Sequence, residues 1–121
     1  MNQVPSLITM MHELIGTPSV SSTAAGWDQS NRDVIEKLEG WLATLGFATE
    51  VLDVPGNPGK ANLIATLGTG PGGLVFSGHT DTVPYDQGRW QTDPFKLQER
   101  DQRLYGLGTC DMKGFFALAI E

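Results

Sequence analysis

The hydrophobic period of the sequence changes at Gly46, and this change most restricts the folds open to the chain. Before Gly46, apolar residues recur at steps of three or four, which is the period of an amphipathic helix. After it, the segment from Ala48 to Val54 alternates between apolar and polar residues, as a half-buried strand does. Helical and strand patterns that follow one another in this way predict an α/β fold, with a mixed sheet flanked by helices.

Three helices are predicted from the apolar spacing, over residues 6–15, 30–45 and 113–121. The second has the clearest start, because Ser30 and Asp33 have the spacing of a capping box. Strands are predicted from apolar runs between turns, over residues 48–54, 62–67, 74–76, 96–100 and 104–105. The run at residues 74–76 is entirely apolar, which predicts a buried central strand that leads into His79. Ligands bind at such strand ends in open α/β sheets.

The length and charge of the chain exclude several classes of protein. Its 121 residues suffice for one hydrophobic core, and the third helix is unfinished at residue 121, so we expect the N-terminal piece of a longer protein. The net charge of -6, without a cluster of Lys or Arg, argues against a nucleic-acid partner. The longest strongly apolar run, residues 115–120, is far too short to span a membrane. The single cysteine, Cys110, cannot form an internal disulfide, and no basic residue precedes Arg32, so we expect a soluble cytoplasmic protein.

Residues suited to catalysis are concentrated in two segments, 78–84 and 106–114. On an extended chain, residues two apart share a face, so His79 and Asp81 point the same way. The Asp81 carboxylate can then accept a hydrogen bond from one imidazole nitrogen and leave the other nitrogen free for a metal ion. Asp111 precedes the third helix, from where its carboxylate could reach the same point and bridge two cations about 3.5–4 Å apart. By spacing alone, an ordinary polar contact of His79 stays an open alternative.

The sequence resembles the zinc-dependent acylases and carboxypeptidases, a family of co-catalytic metallohydrolases. The resemblance extends over the whole chain and is strongest in the runs SGHTDTVP, GRWQTDPF and LYGLGTCDMKGFFA. It implies that residues 1–121 are the N-terminal part of a zinc-exopeptidase-like catalytic domain. It also implies that the complete enzyme hydrolyses the amide of a small N-acylated amino acid. The last of the three runs favours enzymes that remove acetyl groups over those that remove succinyl groups.

The resemblance also implies roles for individual residues. His79 would ligate one zinc, Asp111 would bridge two zincs, and Asp81 would be the catalytic residue that orients His79; cobalt is the alternative metal. The general base, one Glu of an adjacent pair, and the remaining ligands would lie beyond residue 121. The chain alone is therefore expected to be inactive and to bind zinc weakly. A cis peptide bond between Asp111 and Met112 and a homodimeric full-length protein are also implied.

Two further residues receive simpler explanations, and two other functions stay open. His12 lies beside the apolar stripe of the first helix and is interpreted as a helix-flank residue, while Cys110 is interpreted as a buried small side chain. The first alternative function is another amide hydrolase of the same family, such as a desuccinylase or an aminoacylase. The second is a non-catalytic α/β module in which His79 and Asp81 are structural.

Overall fold

The computed structural model describes residues 3–121 and has a mixed α/β architecture, which confirms the predicted fold class. The helices are α1 (Leu7–Ile15), α2 (Arg32–Thr44) and α3 (Lys113–Ile120). The strands form two antiparallel hairpins, one of β1 (Ala48–Val54) with β2 (Asn57–Thr66) and one of β3 (Gln98–Arg100) with β4 (Arg103–Tyr105). None of the helices among residues 3–121 is long and apolar enough to cross a membrane.

The hydrophobic core is built around one face of α1. Its buried members come from all three helices and from the loop before β3: Met10, Met11, Leu14, Ile15, Val34, Leu38, Trp41, Leu97 and Ala117. Helix α1 packs against α3, and α2 covers the β1–β2 hairpin. Full burial of an apolar side chain of this size stabilises the fold by about 1.5–3 kcal/mol. This cluster therefore fixes α3, and with it the loop that ends at Asp111, relative to the rest of the chain.

The start of α2 differs from the predicted capping box. The helix begins at Arg32, and the Ser30 hydroxyl accepts a hydrogen bond from the Arg32 N–H while it donates to the Gly59 carbonyl at 2.7 Å. Asn31, which immediately precedes the helix, makes no side-chain cap. The prediction of a capping box between Ser30 and Asp33 is wrong, because the Ser30 hydroxyl bonds instead to Gly59, near the start of β2.

Two strand predictions are also corrected. Strand β2 already begins at Asn57, so the turn between β1 and β2 is confined to Pro55 and Gly56. Residues 74–76 belong to no strand, and their exposed fractions lie between 67% and 86%. A strand buried on both faces needs neighbouring strands and covering layers, and none of the elements within residues 3–121 supplies them at this position. The prediction of a buried central strand at residues 74–76 is therefore wrong for this structure.

The connections, rather than a continuous sheet, bring the two predicted site segments together. Residues 80–82 run parallel to the segment that follows α1, through an isolated bridge between Val20 and Thr82. The β3–β4 hairpin closes through Asp101 and Gln102, both of which have positive φ, as the two-residue turns of hairpins require. The chain then returns through residues 106–112 to α3, which packs on α1.

Candidate metal centre

The imidazole of His79 lies between two carboxylates. Its Nδ1 is 3.1 Å from Asp81 Oδ1 and 3.1 Å from the Asp81 carbonyl oxygen, while its Nε2 is 3.1 Å from Asp111 Oδ1. His79 and Asp81 are about half exposed, and the Asp111 carboxylate is largely exposed. The structure thus brings together all three residues singled out from the sequence, two on one segment and the third 32 residues further on.

Each ring nitrogen of His79 faces acceptors: two oxygens of Asp81 at Nδ1 and one carboxylate oxygen of Asp111 at Nε2. In a neutral ring one nitrogen carries a hydrogen and the other a lone pair; with the hydrogen on Nδ1, Nε2 presents its lone pair to Asp111. Partial burial lowers the pKa of His79, but the Asp81 carbonyl, the Asp81 carboxylate and Asp111 together raise the pKa above its ordinary value. The negative charge around the ring therefore favours a positive charge at this point, either a proton or a metal cation.

The spacing of the donor atoms fits a shared cation. A lone pair that faces a carboxylate oxygen at 3.1 Å is repelled unless a proton or cation lies between the two atoms. Zinc binds imidazole nitrogen and carboxylate oxygen at about 2.0–2.2 Å, which places two such ligands roughly 3–3.5 Å apart. Imidazole nitrogen with carboxylate oxygen is also a donor set that zinc prefers. His79 and Asp111 can therefore hold one such ion, with Asp81 on the far side of the ring.

Close packing around Gly78 positions His79 against the Asp111 loop. A Cβ at Gly78 would come within 2.9 Å of Met112 Cε and 3.0 Å of Phe116 Cζ, so a larger residue would require these side chains or the segment itself to shift. The His79 N–H also donates to Met112 Sδ at 3.4 Å. The peptide bond between Asp111 and Met112 is cis, as the sequence resemblance predicts.

Buried groups support the loop that carries Asp111. Gly108 has a φ of +94°, and a Cβ there would lie 3.0 Å from Thr82 Cγ2 and 3.1 Å from Lys113 Cε. Lys113 is fully buried, and its Nζ donates to the Thr17 carbonyl at 2.8 Å. Burial lowers the pKa of Lys113 to about 8. Glycine at position 108 thus lets the loop approach residues 80–82 closely enough for Asp111 to meet His79.

The cluster borders a large open cavity. The cavity has a volume of about 1250 Å³ and is lined by β2, by residues 67–81 and by one face of α3. Its walls include the exposed run at residues 74–76, and both His79 and Asp81 line it. The cavity lining mixes apolar side chains with polar groups, among them the side chains of His79 and Asp81.

Two other sequence interpretations have different outcomes. His12 lies exposed on α1, as expected of a helix-flank residue. Cys110 is exposed, so its prediction as a buried small side chain is wrong. The 106–112 loop turns Gly106 and Gly108 inward, where a Cβ at Gly106 would meet Ile15 Cγ2 at 2.7 Å, and the Cys110 side chain is left outside.

The sequence did not single out the residues that support this centre. Ser19 donates to the Thr80 carbonyl, and Asn31 donates to Thr80 Oγ1. Ser19 lies between the first two predicted helices and Asn31 lies at the start of the second, where no local pattern marks a contact with residue 80. Lys113 was predicted only as the first residue of the third helix, because lysine is rarely buried without a partner and its partner here, the Thr17 carbonyl, is distant in sequence.

The chain is similar in sequence to a peptidase family and to a group of deacetylases. Residues 75–121, which include all three clustered side chains, match peptidase family M20/M25/M40. The whole chain is 56% identical to acetylornithine deacetylase of Pasteurella multocida and covers 32% of that protein. The acetylornithine deacetylases of Proteus mirabilis and Salmonella arizonae are 56% and 54% identical over 98% and 99% of the chain. These matches confirm the family resemblance, and the chain spans about a third of the length of these curated relatives.

Proposed function

We propose that this chain is the N-terminal part of a zinc-dependent amidohydrolase that converts N2-acetyl-L-ornithine to L-ornithine and acetate, a step of arginine biosynthesis. The observation that carries the proposal is the His79 imidazole held between the carboxylates of Asp81 and Asp111 at 3.1 Å each. The match of residues 75–121 to peptidase family M20/M25/M40 and the deacetylase names of its relatives support the same chemistry.

Two of the three residues would hold the metal, and the third would orient the imidazole. Asp81 accepts the Nδ1 hydrogen of His79, which fixes the ring and leaves the Nε2 lone pair directed at Asp111. Asp111 presents a largely exposed carboxylate, so it has a second oxygen free for another ligand. His79 and Asp111 would hold the metal, and Asp81 would keep the imidazole in the binding tautomer.

Zinc bound at these residues would supply a Lewis acid for the amide carbonyl and a water of lowered pKa, and cobalt is the alternative metal. Residues 3–121 bring together no group of three or more His, Cys, Asp or Glu side chains arranged to hold a metal ion. The family resemblance implies further ligands and a general base, and we propose that they lie outside these 121 residues, since the chain spans about a third of the length of its relatives. The 121-residue chain alone is expected to bind zinc weakly and to be inactive.

The cavity beside the cluster suits a small substrate with an apolar portion. The polar groups of His79 and Asp81 lie at one side of it, and the side chains of residues 74–76 and of α3 form apolar walls. A small N-acylated amino acid has the matching arrangement, with a polar amide next to an aliphatic chain. For the intact protein we propose a cytoplasmic location and a homodimer, without a nucleic-acid or membrane partner.

The test combines metal content with hydrolysis. The intact gene product is purified with zinc, its metal is measured by mass spectrometry, and release of ornithine from N2-acetyl-ornithine is compared with hydrolysis of N-succinyl-diaminopimelate. His79→Ala and Asp111→Asn should lose metal and at least about 100-fold in kcat/KM. His12→Ala, which changes the other histidine of this chain, is the matched control and should behave as the wild type.

The outcomes separate the candidate functions. Preference for the acetylated substrate supports the deacetylase, whereas preference for the succinylated substrate would replace it with a desuccinylase of the same family. Metal-free protein of unchanged stability, with no hydrolysis of either substrate, would support the non-catalytic α/β module instead.

A further inference from the structure

The segment that follows α1 pairs with the segment that carries His79. The Thr82 N–H donates to the Ser19 carbonyl at 3.0 Å, and the Ser21 N–H donates to the Thr82 carbonyl at 2.9 Å. Val20 and Thr82 form the parallel bridge between the two segments. Residues 80–82 are therefore aligned by a loop that lies more than 60 residues away in sequence.

One side chain of the paired loop, that of Ser19, bonds to the backbone between His79 and Asp81. Ser19 is fully buried, and its hydroxyl donates to the Thr80 carbonyl at 2.7 Å. That carbonyl belongs to the peptide group that joins Thr80 to Asp81, so the Ser19 hydroxyl fixes the orientation of that peptide plane. The ring contacts both the carboxylate and the carbonyl of Asp81. The Thr80–Asp81 peptide sets the backbone from which the Asp81 carboxylate extends, while the Asp81 carbonyl lies in the next peptide group, whose Thr82 N–H donates to the Ser19 carbonyl.

A second buried contact ties the same loop to the other half of the cluster. Lys113 lies two residues after Asp111, and its Nζ donates to the Thr17 carbonyl at 2.8 Å. The Thr17–Ser21 loop thus contacts the segment of His79 on one side and the start of α3 on the other. The positions of both His79 and Asp111 therefore depend on segments that this loop contacts.

Hydrogen bonds with Gln29 and Asp28 hold the loop in place. The Val20 N–H donates to Gln29 Oε1 at 2.8 Å, and the Gln29 N–H donates to the Val20 carbonyl at 2.7 Å. The Ser22 N–H donates to the Asp28 carboxylate at 2.9 Å, and Lys60 pairs with the same carboxylate at 2.9 Å. Ser19 therefore lies in a backbone segment that several hydrogen bonds hold in place. A residue that orients another group needs such a fixed backbone.

We propose that Ser19 is a positioning residue of the metal centre: its buried hydroxyl sets the Thr80–Asp81 peptide and thereby the geometry in which His79 and Asp111 meet a metal ion. This inference rests on the proposed function, because it assumes that His79 and Asp111 bind the metal. Loss of the hydroxyl leaves the three functional side chains and the backbone pairing with Thr82 in place, and it removes the hydrogen bond that orients the Thr80–Asp81 peptide. Groups that orient metal ligands typically contribute about 10–100-fold to metal affinity.

The experiment measures zinc affinity and stability in parallel. The affinity of the intact gene product for zinc is determined by competition with a chelator, and the free energy of unfolding is determined in urea. Four variants are compared with the wild type: Ser19→Ala, Ser19→Cys, Ser6→Ala and His79→Ala. Ser19→Cys keeps the shape of the serine side chain with a larger atom that is a weaker donor, and it provides a second variant should Ser19→Ala not fold.

Ser6→Ala is the control for stability alone. Ser6 caps α1 by accepting the Thr9 N–H, so its loss destabilises the fold without a contact to residues 79–82 or Asp111. We expect zinc affinity to fall about tenfold in Ser19→Ala and less in Ser19→Cys, and to stay within twofold in Ser6→Ala.

The outcomes distinguish the two levels of the proposal. Loss of zinc binding in His79→Ala together with wild-type affinity in both Ser19 variants would overturn the positioning role and leave the proposed function intact. An affinity loss in Ser6→Ala equal to that in Ser19→Ala would also overturn it, since lost stability would then account for both. A wild type that binds no zinc, or unchanged binding in His79→Ala, would overturn the proposed function and this inference with it.

Discussion

Gly114 offers a sharp test of the packing that holds the Asp111 loop. It is the second residue of α3, and a Cβ there would run into the Thr109 carbonyl oxygen and come within 3.1 Å of Met11 Cε. The Gly114 N–H also donates to the Gly108 carbonyl at 3.0 Å, so the helix start and the loop are joined at this point. Relief of the contact requires the backbone of the loop or of α3 to move.

The substitution Gly114→Ala has two effects of opposite sign on the free energy of unfolding. Alanine in place of glycine in a helix stabilises by about 0.5–1 kcal/mol. Overpacking in a tight site costs about 1–3 kcal/mol, and the upper end applies here because the obstacle is a backbone carbonyl. We therefore expect the free energy of unfolding to fall by about 2 kcal/mol, since the steric term exceeds the helix propensity.

Gly40→Ala in α2 is the matched control, because a Cβ at Gly40 meets no atom within 4 Å. It should raise the free energy of unfolding by about 0.5–1 kcal/mol. Urea denaturation of the intact gene product, followed by circular dichroism, measures both variants against the wild type. If Gly114→Ala were as stable as the wild type, or gained stability as Gly40→Ala does, the close approach of α3 to the loop would be refuted.

Three further predictions concern stability and use the same urea assay. Leu14→Ala, which truncates a fully buried side chain of α1, should lower the free energy of unfolding by about 2–5 kcal/mol, and a loss under 1 kcal/mol would contradict the assigned core. The pKa of Asp28 is lowered by the backbone hydrogen bond it accepts and by Lys60, so its stabilising effect is present above its unfolded pKa and is lost as pH falls through its folded pKa. Asp28→Asn should therefore weaken the loss of stability in acid, and an unchanged acid profile would count against this pairing. Asp53→Asn breaks an exposed ion pair with Arg32 and should change the free energy of unfolding by less than about 1 kcal/mol; a larger loss would show that the pair matters more than its exposure indicates.

The helices and β1 could be predicted from the sequence because their signals are local. The apolar spacing of α1 and the alternation of β1 reproduce the observed bounds to within a residue. The prediction of a buried strand at residues 74–76 was wrong because its outcome depends on distant parts of the chain. Whether an apolar segment is a buried strand depends on its neighbours, which periodicity does not reveal. The capping box failed because a distant partner, Gly59, bonds to the Ser30 hydroxyl.

The candidate site shows the same division between local and distant contacts. The pairing of His79 with Asp81 follows from the two-residue repeat of an extended chain, and the structure places the two side chains in contact. Asp111 was placed there by its position before a helix and by the family resemblance. Ser19 and Asn31 contact Thr80 across 61 and 49 residues of sequence, and polar loop residues of this kind carry no periodic signal.

The central claim is that His79 and Asp111 share one metal ion, and anomalous diffraction from zinc-grown crystals of the intact gene product tests it most directly. We expect an anomalous peak at the zinc edge within about 2.0–2.2 Å of both His79 Nε2 and an Asp111 carboxylate oxygen, with Asp81 still bonded to Nδ1. A fully occupied zinc bound elsewhere, with Nε2 of His79 and Asp111 joined only through a proton, would contradict it.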